Sequence, residues 1–306
     1  MATHTSADGD AIASLLAGAE ILKLLGSSPV CGLDGIVPAR FLFLPGSDKI
    51  ARPEALAPAS LDRVLVVDAG NLSRIGEVSK FVASEATLVT VDHHPDNEHF
   101  GKLNIVYPDA SSTAEILFDL AQALNLKLTG ELATQLYTGL LTDTGGFRFS
   151  NTSRRTFSIA AQLAGMGAQP GRIAEAVFYS NPLSGMKMLG EALSSLELYD
   201  GGRVAIMTIR CSDSHEEMEE LADYALAIRG VQAAALFRFQ DKSCRTSLRG
   251  RGSVDVAQIA RRFGGGGHQK AAGFSQRGRP GEIRSRVIKA LCEEVEKSEA
   301  HRSDAA

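Results

Sequence analysis

The chain reads as an α/β protein, with a doubly wound, mainly parallel sheet first and a second, smaller α/β domain after it. Three observations predict this. Apolar, β-prone runs alternate with helix-period segments, the pattern of βαβ units. The clearest runs, at 63–67 and 88–91, stop abruptly at Asp68 and at Asp92-His93-His94, as strands do where an open sheet presents a ligand crevice. After Asn181-Pro182 the pattern changes, and new strands are expected at 203–209, 231–239 and 243–249. The expected division is a first domain over 1–182, a linker helix over 183–196 and a second domain over 197–306.

The elements follow in order. Met1-Ala-Thr-His4-Thr-Ser-Ala-Asp8-Gly9-Asp10 is a loop feeding a helix whose apolar positions run from Ile12 to Leu25 and which ends at Gly26. A helix-capping aspartate would explain Asp10. It would not explain a histidine and a second carboxylate before it. Residues 26–60 are irregular and rich in Gly and Pro. The strand at 63–67 ends in Asp68, and the one closing at Val91 ends in Asp92-His93-His94-Pro95. Ser111-Ser112-Thr113 caps a helix over 114–124, with Glu115 in its first turn. A helix over 131–141 leads into Thr142-Asp143-Thr144-Gly145, and helices follow at 154–165 and 172–179. No phosphate loop of the Gly-x-x-x-x-Gly-Lys type occurs.

A turn that merely holds two histidines would account for one such cluster. It does not account for several strand and helix ends carrying His4, Asp8, Asp10, Asp68, His93 and Asp143. Oxygen-rich donors with some imidazole and no thiolate suit Mn²⁺ or Mg²⁺, with Fe²⁺ or Co²⁺ also compatible, and disfavour a structural zinc. Six donors exceed what one catalytic ion with open positions needs. They fit two ions that share a carboxylate, the arrangement used in phosphoryl hydrolysis.

Composition sets the bounds. The 306 residues are 44% hydrophobic, enough for two domains with real cores. A net charge of -4 gives no global drive toward long nucleic acid. Cys31, Cys211, Cys244 and Cys292 are scattered without paired spacing, which argues against a disulfide framework and for a reducing compartment. The apolar run at 11–25 is too short to span a bilayer and follows Asp8 and Asp10. A soluble, cytoplasmic protein with no membrane partner is expected.

The second domain carries its own signal. Arg249 and Arg251 are followed by a helix over 254–263, four glycines at 264–267, and His268. Guanidinium groups grip phosphate bidentately. A glycine run can turn backbone N–H groups toward an anion. A flexible linker beside a solvated basic face is the plain alternative.

Together these motifs resemble the DHH phosphoesterase superfamily, named for the triplet seen here as Asp92-His93-His94, with a carboxyl-terminal DHH-associated domain. The order matches: a His-x-x-x-Asp-x-Asp loop, a strand ending in Asp, the triplet, then Thr-Asp-Thr-Gly. The resemblance implies a Mn²⁺-dependent hydrolase. One ion would take His4, Asp8 and Asp68, and the other Asp10, Asp68, His93 and Asp143. Asp92 would orient the histidines, and His94 would face the substrate. In the second domain, Arg249, Arg251, Gly266, Gly267 and His268 would bind the terminal phosphate or nucleotide. Size and order best match the NrnA-type branch, compact relatives of RecJ. That branch implies short RNA or pAp as substrate, and a homodimer. Cyclic or linear dinucleotides are the alternative substrates, and a catalytically inactive nucleotide-binding protein the alternative class. Ala7 stands where the family usually has Pro, and only three residues precede His4. An upstream natural start or a shortened first strand is therefore expected.

Overall fold

Apolar residues occupy the whole circumference of α1 (Gly9–Leu24), and the helix is buried accordingly, with Ala11, Ile12, Leu15, Leu16, Ala17 and Ala19 all enclosed. The structure is a computed structural model describing residues 1–56, 61–210, 221–240 and 243–303. It divides into two units, Met1–Ser180 and Asn181–Ala306. Cys211, the start of the helix expected from His215, and Asp241 of the expected hairpin turn lie outside the described residues.

After α1 the first unit contains α2 (Pro53–Leu56), β1 (Leu61–Val67), a 3-10 stretch over Leu72–Phe81, β2 (Val82–Asp92) and β3 (Leu103–Val106). Then come α3 (Thr113–Ala123), α4 (Gly130–Asp143), α5 (Arg154–Gly165) and α6 (Pro170–Phe178). The strands pair in parallel in the order β1-β2-β3. Single bridges extend the ladder beyond β1, from Ala2 to Val66 and Gly32 and from Gly32 to Ala51. The Ala2 N–H donates to the Leu65 carbonyl, and the Val67 N–H donates to that of Ala2. The three residues before His4 therefore lie against β1 as a very short parallel segment.

Strand alternation explains how both faces of this sheet are covered. Leu65 and Val67 pack with α1, α3 and α4. Val64 and Val66 pack with Ala2, Leu56, Ile75 and Val78 on the other side. Each such aliphatic side chain contributes about 1.5–3 kcal/mol when fully buried.

The second unit runs α7 (Leu183–Ser194), β4 (Glu197–Tyr199), β5 (Val204–Arg210), α8 (Leu221–Leu226), β6 (Ala233–Gln240) and β7 (Ser243–Gly250). It continues with α9 (Val256–Arg262), β8 (Gly266–Gly267), β9 (Ala271–Arg277) and α10 (Pro280–Ser303). The sheet order is β4-β5-β6-β7-β9-β8, with only the β5–β6 pair parallel. Phe237, Cys244, Leu248 and Phe274 pack beneath α9 and α10. Ala205, Met207, Ala234 and Leu236 pack on the opposite face with Leu189 and Ala192 of α7 and Leu221 and Ala222 of α8. The helix that follows Pro182 is thus bound by its apolar face to the second unit. Cys31, Cys244 and Cys292 are free thiols. Among the described residues, no helix is long and apolar enough to cross a membrane.

Candidate metal centre

Three chain segments converge on Asp68, the residue immediately after β1. It takes a left-handed conformation, φ 56°, which an aspartate tolerates better than most side chains. Its N–H donates to the Val91 carbonyl of β2. The turn leaves the carboxylate buried between three imidazoles. His4 Nε2 lies 3.7 Å from Oδ2, while His93 Nε2 and His94 Nδ1 each lie 3.8 Å from Oδ1. Burial alone would raise the Asp68 pKa. The close approach of His4, His94 and His93 outweighs it and holds the group far below the usual carboxylate range.

The loop carboxylates are placed by α1. The structure corrects the expected cap: Asp8, not Asp10, is the N-cap residue, accepting from the Ala11 N–H at 3.1 Å. Asp10 sits in the first turn and serves another helix. Its Oδ2 accepts from the Thr113 N–H at 2.7 Å and its Oδ1 from the Ala114 N–H at 3.1 Å, at the positive end of α3. Two glycines make room for this approach. A Cβ on Gly139 of α4 would meet Asp10 Oδ1 at 2.4 Å, and one on Gly9 would meet the Thr142 side chain at 2.4 Å. The second approach brings Asp8 to the end of α4, where Asp143 is the last helical residue. Asp143 Oδ2 lies 3.5 Å from His93 Nε2. Burial and the neighbouring Asp68 and Asp143 push Asp10 upward; burial, Asp8 and Asp68 push Asp143 upward.

The triplet is locked by Asp92. Its Oδ1 accepts from the His93 N–H at 2.8 Å and from His94 Nδ1 at 2.6 Å, and its Oδ2 accepts from Asn97 Nδ2 at 2.6 Å. His93 Nδ1 faces the Ala110 carbonyl at 3.2 Å. A carbonyl only accepts, so in the neutral ring Nε2 keeps a lone pair that points toward Asp68 and Asp143. Sequence reasoning missed several partners. Thr113 Oγ1 donates to Asp68 Oδ1 at 2.9 Å, and Ser14 Oγ donates to Asp10 Oδ1 at 3.1 Å. Asn151 Nδ2 donates to the Asp143 carbonyl at 3.1 Å. Thr113 was visible only as a capping residue, and Asn97 only as a polar neighbour of the triplet.

The donor set fits divalent cations. His4, Asp8 and Asp68 each offer a ligand atom within 4.8 Å of the others, and so do Asp10, Asp68 and His93. Asp68 belongs to both groups. The His4 Nδ1 atom is buried with no hydrogen-bond partner, and several carboxylates share a space where unpaired charge is costly. Cations answer that cost.

The remaining expected residues belong to the second unit. Arg249 Nε donates to Asp223 Oδ1 at 2.6 Å, and Arg251 Nη2 to the Leu226 carbonyl at 2.6 Å. The glycine run does not form a ring of converging donors. The N–H groups of Gly264, Gly265 and His268 donate to the carbonyls of Arg261, Ala260 and Ala271, and Gly266 and Gly267 pair with β9. Close packing explains two of the four: a Cβ on Gly265 would meet the Gly273 carbonyl oxygen at 2.1 Å, and one on Gly267 that of Ala271 at 2.6 Å.

Comparison with known proteins places this geometry in a family. The model for the DHH family, N-terminal domain, matches residues 1–140, and that for the DHHA1 domain matches residues 201–297. The chain is 34% identical to the bifunctional oligoribonuclease and PAP phosphatase NrnA of Thermus thermophilus, over 96% of this chain and 89% of that one. It is 33% identical to the cyclic-di-AMP phosphodiesterase PdeA of Listeria monocytogenes over 67% of this chain, but only 32% of that one. Among solved structures, an exopolyphosphatase-related protein from Bacteroides fragilis superposes with a TM-score of 0.86 at 27% identity, covering 95% of this chain and 90% of the other.

Proposed function

The chain belongs to the DHH family of phosphoesterases, hydrolases that act on phosphoester bonds, and from that premise we propose that it hydrolyses short oligoribonucleotides and pAp to mononucleotides with two Mn²⁺ ions. The observation that carries the reading is the sharing of Asp68 between two ligand groups. His4, Asp8 and Asp68 would hold one cation; Asp10, Asp68, His93 and Asp143 would hold the other. When bound, the pair supplies Lewis-acid charge and activates water for attack on phosphorus. The chain's own residues do the positioning. Asp92 fixes both histidines, and with Nδ1 on Asp92, His94 keeps Nε2 to hold a phosphate oxygen. Arg249, Arg251, Gly266, Gly267 and His268 take the terminal phosphate or nucleotide. The chain works in the cytoplasm, where such fragments arise.

The test is one assay under Mn²⁺, Mg²⁺ and Co²⁺ with pAp, RNA dimers to pentamers, and linear and cyclic di-AMP side by side. Turnover of pAp and short RNA, strongest with Mn²⁺ and abolished by chelation, is expected. The Listeria relative supplies the second reading: turnover confined to cyclic di-AMP would replace the first with it.

A further inference from the structure

The turn that follows Asp68 carries a positive charge with no task in the metal centre. Arg74 lies in the 3-10 stretch over Leu72–Phe81, and its backbone is fixed from two sides. Its N–H donates to Oδ1 of the capping Asn71 at 3.3 Å, and its carbonyl accepts from the Thr5 N–H at 2.9 Å. Ile75 and Val78 anchor the same stretch against Val64 and Val66 of β1. Arg74 is thereby tied to the loop that carries His4. The packing there is close: a Cβ on Gly76 would collide with the Thr5 side chain.

The Arg74 side chain is half-buried. Among the described residues its guanidinium has neither a hydrogen bond nor an ion pair. Carboxylates on the adjoining turns are engaged elsewhere: Glu77 with Lys80, Glu98 with Asn71, and Asp34 with the Glu77 N–H. Burial and, after it, the positive charge of Arg74 both oppose protonation of His94, so the guanidinium stands within electrostatic reach of that ring. An arginine that only balanced the buried carboxylates would bond one of them, and Arg74 bonds none. A partly desolvated guanidinium without an acceptor is costly. Its fork matches two oxygens of one phosphate.

We propose that Arg74 is a substrate-binding residue of the reaction centre, forking two non-bridging oxygens of the phosphate that His94 also holds. The assignment rests on the proposed phosphoester chemistry, not on which nucleotide carries the phosphate. The fork gains most as negative charge gathers on those oxygens during attack, so kcat should suffer more than KM.

The test compares wild type, Arg74→Gln and Arg74→Lys, each loaded with Mn²⁺. Inorganic phosphate is titrated into each by calorimetry, and kcat and KM are measured for pAp and an RNA dimer. Arg74→Gln should bind phosphate about tenfold more weakly and lose about a hundredfold in kcat on both substrates. Arg74→Lys keeps the charge without the fork and should recover part of each loss. Melting temperature, and Mn²⁺ affinity read by EPR, should stay at wild-type values. Unchanged phosphate affinity in Arg74→Gln overturns the assignment, as does a wild type that binds no phosphate. Losses that track a fall in melting temperature or Mn²⁺ affinity, and that lysine does not relieve, overturn it too, making Arg74 a support for the His4 loop. Phosphate binding needs no turnover. Arg74-dependent binding in a protein that cleaves neither pAp nor RNA would sink the proposed function and leave Arg74 standing as a phosphate ligand.

Discussion

The metal centre and the Arg249–Arg251 segment of the second unit solve opposite problems. In the first unit the chemistry-bearing groups are buried, sit where strands and helices end, and are held by backbone donors: Asp10 by α3, Asp92 by its own triplet, Asp68 by a left-handed turn. In the second unit they stand at the end of a regular strand, on its less covered face. Buried charge without cations opposes folding, while the half-buried Arg249 and the exposed Arg251 cost little. Changes at the first site should therefore move activity, metal affinity and stability together. Changes at the second should move binding alone.

The largest effect should come from Asp68→Asn. The substitution keeps a side chain that tolerates φ 56° and can still accept from Thr113, but it removes the charge shared by both ligand groups. Turnover should fall at least about a thousandfold, the scale of losing a principal electrostatic contributor. The rise in melting temperature that Mn²⁺ gives the wild type should shrink. Activity within tenfold of wild type would remove Asp68 from the bridging role.

Next in size is a pH effect in the chelator-treated protein. Burial lowers the His94 pKa, but the Asp92 hydrogen bond and the Asp68 charge overcome it and push the group up to about 9. A basic group raised on folding contributes stability that is complete below its unfolded value, about 6.5, and is lost as pH rises through 9. Urea unfolding in EDTA should show the wild type losing on the order of 2–3 kcal/mol over that window relative to His94→Gln. Parallel stability curves for the two proteins would deny the Asp92–His94 coupling.

How much of this was legible beforehand follows from the same contrast. His4, Asp8, Asp10, Asp68, the triplet and Asp143 could be read because polar residues at the ends of apolar runs break a strong pattern, and the structure brings all of them together. The glycine run was legible only as composition. That Gly265 and Gly267 also allow close contact with the Gly273 and Ala271 backbone is something no local spacing reveals. Thr113 was invisible as a site residue because its partner, Asp68, lies 45 positions away, and Asn97 because its bond to Asp92 is made across a turn that no spacing announces.

Gly139→Ala tests whether the first site depends on that same long-range packing. On helix propensity alone, alanine should stabilise α4 by up to about 1 kcal/mol. The new Cβ instead meets Asp10 Oδ1 at 2.4 Å and the Ala114 Cβ at 2.6 Å. Overpacking of this kind costs about 1–3 kcal/mol, and displacing Asp10 breaks its bonds to the start of α3. Lower stability with a clear rise in the Mn²⁺ concentration needed for half-activity is expected. A more stable, fully active variant would show that Asp10 can move freely.

The smallest effect on the fold, and the sharpest on the comparison, should come from Arg249→Ala. The Arg249–Asp223 pair is about a third exposed on the carboxylate side, and pairs of that kind contribute under about 1 kcal/mol. The melting temperature should hardly move. If Arg249 holds the terminal phosphate, KM for pAp and for short RNA should rise together by roughly tenfold, with kcat nearly unchanged, because the substitution takes away one charged hydrogen bond to the bound ligand. A drop in kcat or in melting temperature without a change in KM would make Arg249 a structural partner of α8. The division of labour between a buried reaction centre and an open binding face would then fail at its best-placed residue.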